Sequence, residues 1–545
     1  MGRLILVGMQ PRAPANEPVF AYAPGSSERD AVLEQIESQS KWVISLPLVI
    51  GGQSVETART AAVKAPHRHS LQLGQAAQAE PSHVRQAIEA ALAARGSWSR
   101  LELGERAAIF QRAAALLAGP WRMRLNAATM LGQSKTVHQA EIDAACELID
   151  FFRFNAWFAE RMSAEQPLST LTETNRSELR PLEGFVVAVT PFNFTSIAGN
   201  LPTAPALMGN TVVWKPSPHA MLSAHYILRL LEEAGLPPGV INLVYGDAQL
   251  ITRELLSHPD FAGLHFTGST SVFRGLFRTI ASGLDRYRSY PRIVGETGGK
   301  DFIVAHPSAD TDALAVAILR GGYEYQGQKC SAVSRVYVPR SCWTAVRERL
   351  LEQLSAVRVG DPTDFRSFMG AVIGRHAFER IRGYQEAARA DAGCEVLFGG
   401  GGDDEQGYFI EPTLVRVDDP RHRLMQEEIF GPVVAAYVYE DDRFEQVLDL
   451  CDSTSGYALT GAVFARDRSA LALARSRLRD AAGNFYLNDK PTGAVVGQQP
   501  FGGGRLSGTN DKAGSSLNLW RWVSPRTIKE NLCPPHEWRY PYLQG

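Results

Sequence analysis

Residues 211–245 read TVVWKPSPHAMLSAHYILRLLEEAGLPPGVINLVY. Thr211–Lys215 is a short run rich in β-branched and aromatic residues, which reads as a buried strand. Met221–Ala234 carries a helical pattern that Gly235 and Pro237 stop, and Ile241–Tyr245 is a second apolar run. Strand, helix and strand at this spacing make a βαβ unit, whose two strands lie parallel in one sheet. The alternation continues on both sides. Gly184–Val189, Gly263–Thr267 and Arg292–Val294 are further strands, and Ala248–Ser257 before Pro259 is a further helix. A second alternating series from Asp301 to about Tyr486 predicts another α/β domain. The expected class is α/β, with a doubly wound, Rossmann-type domain ahead of a second α/β domain.

Upstream, residues from His83 to about Met162 turn helical: Val84, Ile88 and Leu92 recur at spacing four, as do Glu147, Leu148, Phe151 and Phe152 in kind. Gly119-Pro120 and Gly132 punctuate this stretch. The polar, aperiodic segment from about Thr57 to Pro81 reads as a surface connection. Gln166–Arg180 alternates like an edge hairpin, or a subunit contact. Lys490–Gly508 is Gly/Pro-rich and irregular, which suits a functional loop.

A chain of 545 residues exceeds one compact core, so two or three domains are expected. The net charge of -2, without a long run of one sign, argues against nucleic-acid or anionic-membrane binding. No stretch approaches the roughly 18 to 20 apolar residues of a membrane span. Six scattered cysteines, with no CxxC pair, suggest neither a disulfide framework nor a zinc site, so no metal is expected. They fit a reducing compartment. Met1 to about Asn16 is too short and Pro-rich for a presequence and reads as a disordered terminus. The expected location is the cytoplasm, or the mitochondrial matrix if the source is a eukaryote.

Gly327-Gln328-Lys329-Cys330-Ser331 sets a cysteine on polar chain that reads as mobile, outside any helix face or strand core. Most cysteines are small buried hydrophobes, so the context matters. Glu296-Thr297-Gly298-Gly299-Lys300 follows the Arg292–Val294 run, placing an acid at a strand end beside glycines. Asn193, in Pro191-Phe192-Asn193-Phe194-Thr195, also follows a strand directly. Carboxyl ends of strands are where open α/β sheets bind ligands.

Together with Phe266-Thr267-Gly268-Ser269-Thr270, Glu428-Ile429-Phe430-Gly431-Pro432 and Asn484-Phe485-Tyr486-Leu487-Asn488, these segments resemble the aldehyde dehydrogenase superfamily. Each string is weak alone; their order and spacing carry the likeness, which runs from about Glu17 to the end. The resemblance implies that Cys330 attacks an aldehyde as thiolate, helped by a helix end, a cation or a nearby base. It implies that the Asn193 side-chain amide and the Cys330 backbone N–H hold the oxyanion, each donor worth about 3 to 4 kcal/mol. Glu296 would then activate the water that hydrolyses the thioester. Relatives that pass the acyl group to coenzyme A tend to lack this base, so hydrolysis is expected.

Gly268-Ser269-Thr270-Ser271-Val272 lacks the GxGxxG spacing, yet it follows a strand where a helix N-terminus suits a pyrophosphate. The resemblance gives these five residues that task. It gives Lys215 the adenosine ribose, Glu428 the nicotinamide ribose, and Thr190 a place near the catalytic end. NAD is the expected cofactor. NADP stays open, because Ser217 and Pro218 put no acid where a 2′-phosphate would be repelled.

Within the superfamily the likeness is to the branch that oxidises L-glutamate γ-semialdehyde, formed from 1-pyrroline-5-carboxylate, in proline catabolism. The strings that carry it are 191–195, 329–332, 492–503 and 507–512. It implies that Ser331, Gly493 and Ala494 anchor the α-carboxylate, that Phe194 and Phe501 wall the aliphatic middle, and that Glu147 caps the pocket or finds a buried partner. Another small semialdehyde, such as succinic semialdehyde, is the alternative, favoured if a basic side chain faces Cys330-Ser331. A non-catalytic structural or binding protein on the same fold is the alternative from another class. A homodimer or multiple of dimers is implied, through a small β arm. The expected layout is an extension over 1–40, a cofactor domain over 41–165 and 185–300, a catalytic domain over 301–495, and an arm from 166–184 and 510–545.

Overall fold

The computed structural model describes residues 12–543. Residues 1–11, most of the segment expected to be disordered, lie outside that range. From Asn16 onward the chain is hydrogen-bonded into the fold, and helix Ser27–Lys41 buries Val32 and Ile36.

The βαβ reading is realised in a seven-stranded sheet. Its order is Arg292–Glu296, Phe261–Thr267, Phe185–Val189, Thr211–Lys215, Ile241–Leu243, Leu48–Ile50 and Gln53–Val55. The first five strands are parallel and the last two antiparallel. Strands buried on both faces need near-continuous apolar runs, which Phe185–Val189 and Thr211–Lys215 supply. Helices Met221–Glu233 and Ala248–Ser257 fall where the sequence puts them. Strand order reverses between Phe185–Val189 and Phe261–Thr267, making a switch point at their carboxyl ends.

A second seven-stranded sheet runs Cys394–Phe398, Thr413–Val417, Val433–Tyr439, Val333–Pro339, Asp301–Ala305, Thr460–Phe464 and Asn484–Leu487. All its neighbours are parallel except the Cys394–Phe398 edge. Among the described residues no helix is long and apolar enough to cross a membrane.

Two expectations change. The segment 57–81 is no mere connection: Thr60–Ala65 and Arg68–Ala77 pair antiparallel, and Ile44–Leu46 joins them. Its Ala, Gln and His residues are weak strand formers, so the pattern was faint. Within the segments expected to form an arm, Glu173–Pro181 pairs antiparallel with Val523–Asn531. Before it, however, Leu519 and Trp522 are buried in the core of the first sheet, so 510–523 belongs largely to that body.

Candidate active site

Cys330 sits on a tightly held turn between helix Thr311–Tyr323 and strand Val333–Pro339. Tyr325, Gln326 and Gly327 adopt left-handed conformations with φ of 51°, 55° and 64°. For Tyr and Gln that is costly, on the order of 1–3 kcal/mol each, and it persists only where the surroundings enforce it. They do so here. The Tyr325 hydroxyl donates to the Gln133 carbonyl at 3.0 Å, and Gln326 Nε2 donates to the carbonyls of Ser134 and Ala371 at 3.1 and 2.7 Å. A Cβ on Gly327 would lie 2.3 Å from the Gly431 carbonyl oxygen. Gln328, Lys329 and Ser331 are buried, so the polar chain around the thiol is fixed rather than mobile.

The Cys330 thiol and Glu296 open onto one cavity of about 300 Å³. Phe194, Glu147, Ser331, Gly493, Ala494 and Phe501 line the same cavity, so all six candidate substrate contacts converge. Ser331 Oγ lies 2.8 Å from Thr492 Oγ1, leaving one hydroxyl proton of the pair to donate elsewhere. Gly493 has φ 88°, and the backbone N–H groups of Gly493 and Ala494 have no hydrogen-bond acceptor among the described residues. Two such donors beside a hydroxyl suit a carboxylate. Glu147 is both cavity wall and bonded, accepting from Ser196 Oγ. Burial first, then Asp143, pushes its carboxyl up to about 8.

Asn193 is buried, and its Nδ2 donates at 3.0 Å to the carbonyl of Gln328, two residues before Cys330. An amide carries two N–H donors, so that bond orients the group and leaves one for an oxyanion. Replacing Asn193 by Ala is expected to lower kcat by about 10²- to 10³-fold, with NAD affinity unchanged in a binding titration.

The thiol's electrostatics differ from expectation. Burial, followed by Glu296, Asp301 and Glu428, pushes the Cys330 thiol well up, with its own backbone N–H opposing. Glu296 is itself pushed up to about 8, by burial and then by Asp511, with Lys512 opposing.

The candidate cofactor residues of the first sheet follow the carboxyl ends of its strands, Glu428 comes from the second sheet's body, and none of them lines the substrate cavity. Thr190 follows Phe185–Val189, and its hydroxyl accepts from Trp214 Nε1 at 2.9 Å. Gly268 follows Phe261–Thr267, and Ser269 caps helix Thr270–Ala281, accepting from the Val272 N–H. Ser271 and Val272 lie exposed in its first turn. Lys215 is nearly buried, and its ammonium has no hydrogen-bond or ion-pair partner among the described residues; burial lowers it to about 8. Glu428 accepts from the Gly299 N–H at 2.9 Å and packs where a Cβ on Gly298 would clash at 2.3 Å. An orphaned ammonium, an open helix N-terminus and a carboxylate acceptor fit the hydroxyls and phosphates of a dinucleotide. Glu428 is among the acids that push the Cys330 thiol up, after Glu296 and Asp301.

Several residues escaped the sequence reading. Lys329 lines the cavity and pairs with Asp143 and Glu324 at 3.5 and 3.7 Å. Asp143 stands on a π-helical turn, Glu141–Cys146, a feature often found at functional sites. Asn16, Glu17 and Val19 also form part of the wall. Asn16 Nδ2 donates to Asp150 Oδ2 and to the Val496 carbonyl, both at 2.8 Å, and Glu17 pairs with buried Arg122 at 2.5 Å. No pattern in 16–22 announces this strap. Elsewhere, Asp391, Cys394 and His422 bring possible metal ligands within 4.8 Å of one another. His422 spends Nδ1 on the Leu424 N–H and Nε2 on Asp391, which describes a helix cap rather than a ligand set.

The chain matches the family model described as "Aldehyde dehydrogenase family" over residues 54–528. It is 50% identical to the mitochondrial delta-1-pyrroline-5-carboxylate dehydrogenase of Bos taurus, over 97% of this chain and 94% of that protein. The enzyme of that name from Agaricus bisporus is also 50% identical, over 97% of each chain. The crystal structure of the Delta-pyrroline-5-carboxylate dehydrogenase from Mycobacterium tuberculosis bound with NAD superposes with a TM-score of 0.96. Identity there is 52%, over 99% of this chain and 100% of that one.

Proposed function

The chain belongs to the aldehyde dehydrogenase family, and on that footing we propose that it oxidises L-glutamate γ-semialdehyde to L-glutamate with NAD, in proline catabolism. One observation carries the residue-level reading. Cys330, Glu296 and all six substrate candidates line a single cavity, where the Gly493 and Ala494 N–H groups have no acceptor among the described residues.

The chain's residues divide the work as follows. Gly493, Ala494 and Ser331 hold the α-carboxylate, and Phe194 and Phe501 confine the methylenes, so the aldehyde carbon faces Cys330. The Cys330 sulfur, its proton released to solvent at the partly exposed wall, bonds to that carbon. The carbonyl oxygen becomes an oxyanion held by the second Asn193 N–H and the Cys330 N–H. When bound, NAD supplies an electron-poor, positively charged ring that favours the adjacent thiolate and accepts the hydride. Lys215, Glu428, Thr190 and the 268–272 turn would hold it. The C–O double bond re-forms as the thioester. Glu296, as carboxylate, takes a proton from water, whose oxygen displaces the sulfur and releases the new γ-carboxylate.

A basic side chain near Cys330-Ser331 would favour a simple dicarboxylic semialdehyde. Lys329 and Lys490 do line the cavity, but Lys329 is paired with Asp143 and Glu324, and Lys490 Nζ donates to the Thr492 carbonyl at 3.0 Å. Among the described residues no cation on the cavity wall is therefore left unpartnered to hold a second carboxylate. Initial rates of NADH and NADPH formation test this. Glutamate semialdehyde with NAD is expected to exceed succinic semialdehyde and propanal in kcat/KM by at least about 10²-fold, since a substrate lacking an anchor group strands buried donors. A preference for propanal would overturn the substrate.

An arm bearing the exposed Leu168, Leu171 and Leu532 suits pairing with a second copy, which light scattering would read as a dimer or its multiple. Six free cysteines suit a reducing compartment, the cytoplasm or a mitochondrial matrix.

A further inference from the structure

Asn193 and Cys330 come from different domains, yet the oxyanion chemistry needs them held to a fraction of an ångström. Residues 133–135 reach both. On one side, Gln133 Nε2 donates to the Phe192 carbonyl at 2.5 Å and lies 3.1 Å from Thr195 Oγ1, so it grips the segment on either side of Asn193. On the other, the carbonyls of Gln133 and Ser134 accept from the Tyr325 hydroxyl and from Gln326 Nε2, within the left-handed turn that leads to Cys330. Ser134 makes this possible by ending helix Arg122–Gln133 with φ 58°, and its Oγ accepts from the Ala371 N–H at 2.8 Å.

Lys135 closes the bracket. Its side chain is fully buried, and Nζ donates to Asp143 Oδ2 at 2.6 Å. The ammonium lies 4.6 Å from the centre of the Phe194 ring and 4.4 Å from that of Tyr325. One ring adjoins Asn193 and the other belongs to the nucleophile's turn. A cation attracts the faces of both rings at once, most strongly where water is excluded. Asp143, which holds the ammonium, also holds Lys329 beside Cys330. Burial pulls the Lys135 ammonium toward neutrality and Asp143 opposes this, so the pair stands or falls together. Lys135 itself does not line the cavity.

We propose that Lys135 is a positioning residue that fixes the oxyanion donor Asn193 against the nucleophile Cys330 by clamping the rings of Phe194 and Tyr325. This rests on the thiol chemistry proposed above. Misplacing reacting groups by about 1 Å can cost about 10²-fold in rate, with little effect on binding. The test uses the full chain with Lys135→Met, which keeps length and bulk but removes charge, and Lys135→Arg, which restores a cation. Readouts are kcat and KM for glutamate semialdehyde, Kd for NAD, and Tm.

Lys135→Met is expected to lower kcat by about 10²-fold with KM and NAD affinity within about threefold, and Lys135→Arg to recover at least tenfold of the loss. An unchanged kcat overturns the inference. A rise in KM alone overturns it too, since that marks a substrate contact. Parallel loss of kcat, NAD affinity and Tm that Arg does not restore marks a merely structural role and also overturns it. If Lys135→Met does not fold, Tyr325→Leu is compared with Tyr325→Phe, since both lose the hydroxyl bond to Gln133 and only Leu loses the ring face; a kcat about tenfold lower in Leu than in Phe supports the clamp and equal kcat refutes it. An active Cys330→Ala would instead sink the chemistry beneath the inference, whereas an inert Cys330→Ala with a normal Lys135→Met sinks the inference alone.

Discussion

Cys330→Ala is expected to lower kcat by about 10⁵- to 10⁶-fold, the scale on which removing a covalent nucleophile acts. The remaining turn should stand, because its left-handed residues are held by Gln133, Ser134 and Ala371 rather than by the sulfur. The variant should keep its Tm and still bind NAD, none of whose candidate contacts lines the substrate cavity. Mass spectrometry should find a substrate-derived acyl group on the parent protein, trapped during turnover, and none on the variant. Substantial activity without the thiol would refute the mechanism.

Glu296→Gln is expected to separate the two halves of the reaction. The amide cannot take a proton from water, so hydrolysis should slow by about 10²- to 10⁴-fold. Thioester formation should survive, because the neutral amide cannot push the thiol up as a Glu296 carboxylate does. Rapid mixing should therefore show one NADH per site, then a slow steady state. A linear trace from the outset would mean that Glu296 serves thiol activation instead. The parent enzyme's pH profile carries the same signature. With its carboxyl held at about 8 by burial and Asp511, Glu296 is mostly protonated below that pH and cannot act as base. Deacylation should rise with pH through about 8 and level off above it, and the Gln variant should lose that limb.

The sheets were legible where apolar runs are bounded by strong punctuation. Thr211–Lys215 and Ala248–Ser257 came out at their observed limits, because Pro216 and Pro259 leave little freedom at their ends. The hairpin over 60–77 was not legible, since its half-exposed strands use residues with little strand preference. Within the site, Cys330, Glu296 and Asn193 follow strands or turns that local reasoning can find. Ser331, Gly493 and Ala494 came from family likeness, and no spacing rule would single them out. Lys135 and Asp143 stayed invisible for a physical reason. Their partners are set by a π-helical turn that the string EIDAAC does not distinguish from ordinary helix, and by rings 59 and 190 positions further on (194 − 135 and 325 − 135). The thiol's raised proton affinity was equally hidden, because it arises from acids that only folding brings near.

The strap at Asn16–Val19 has a consequence for how the enzyme comes into being. Asn16 bonds partners 134 and 480 positions later, so the substrate chamber gains its last face only after residue 496 has been synthesised. Both sheets take shape from nearer neighbours, and such distant pairings tend to form late. A nascent polypeptide would thus own its nucleophile well before it owned a finished chamber.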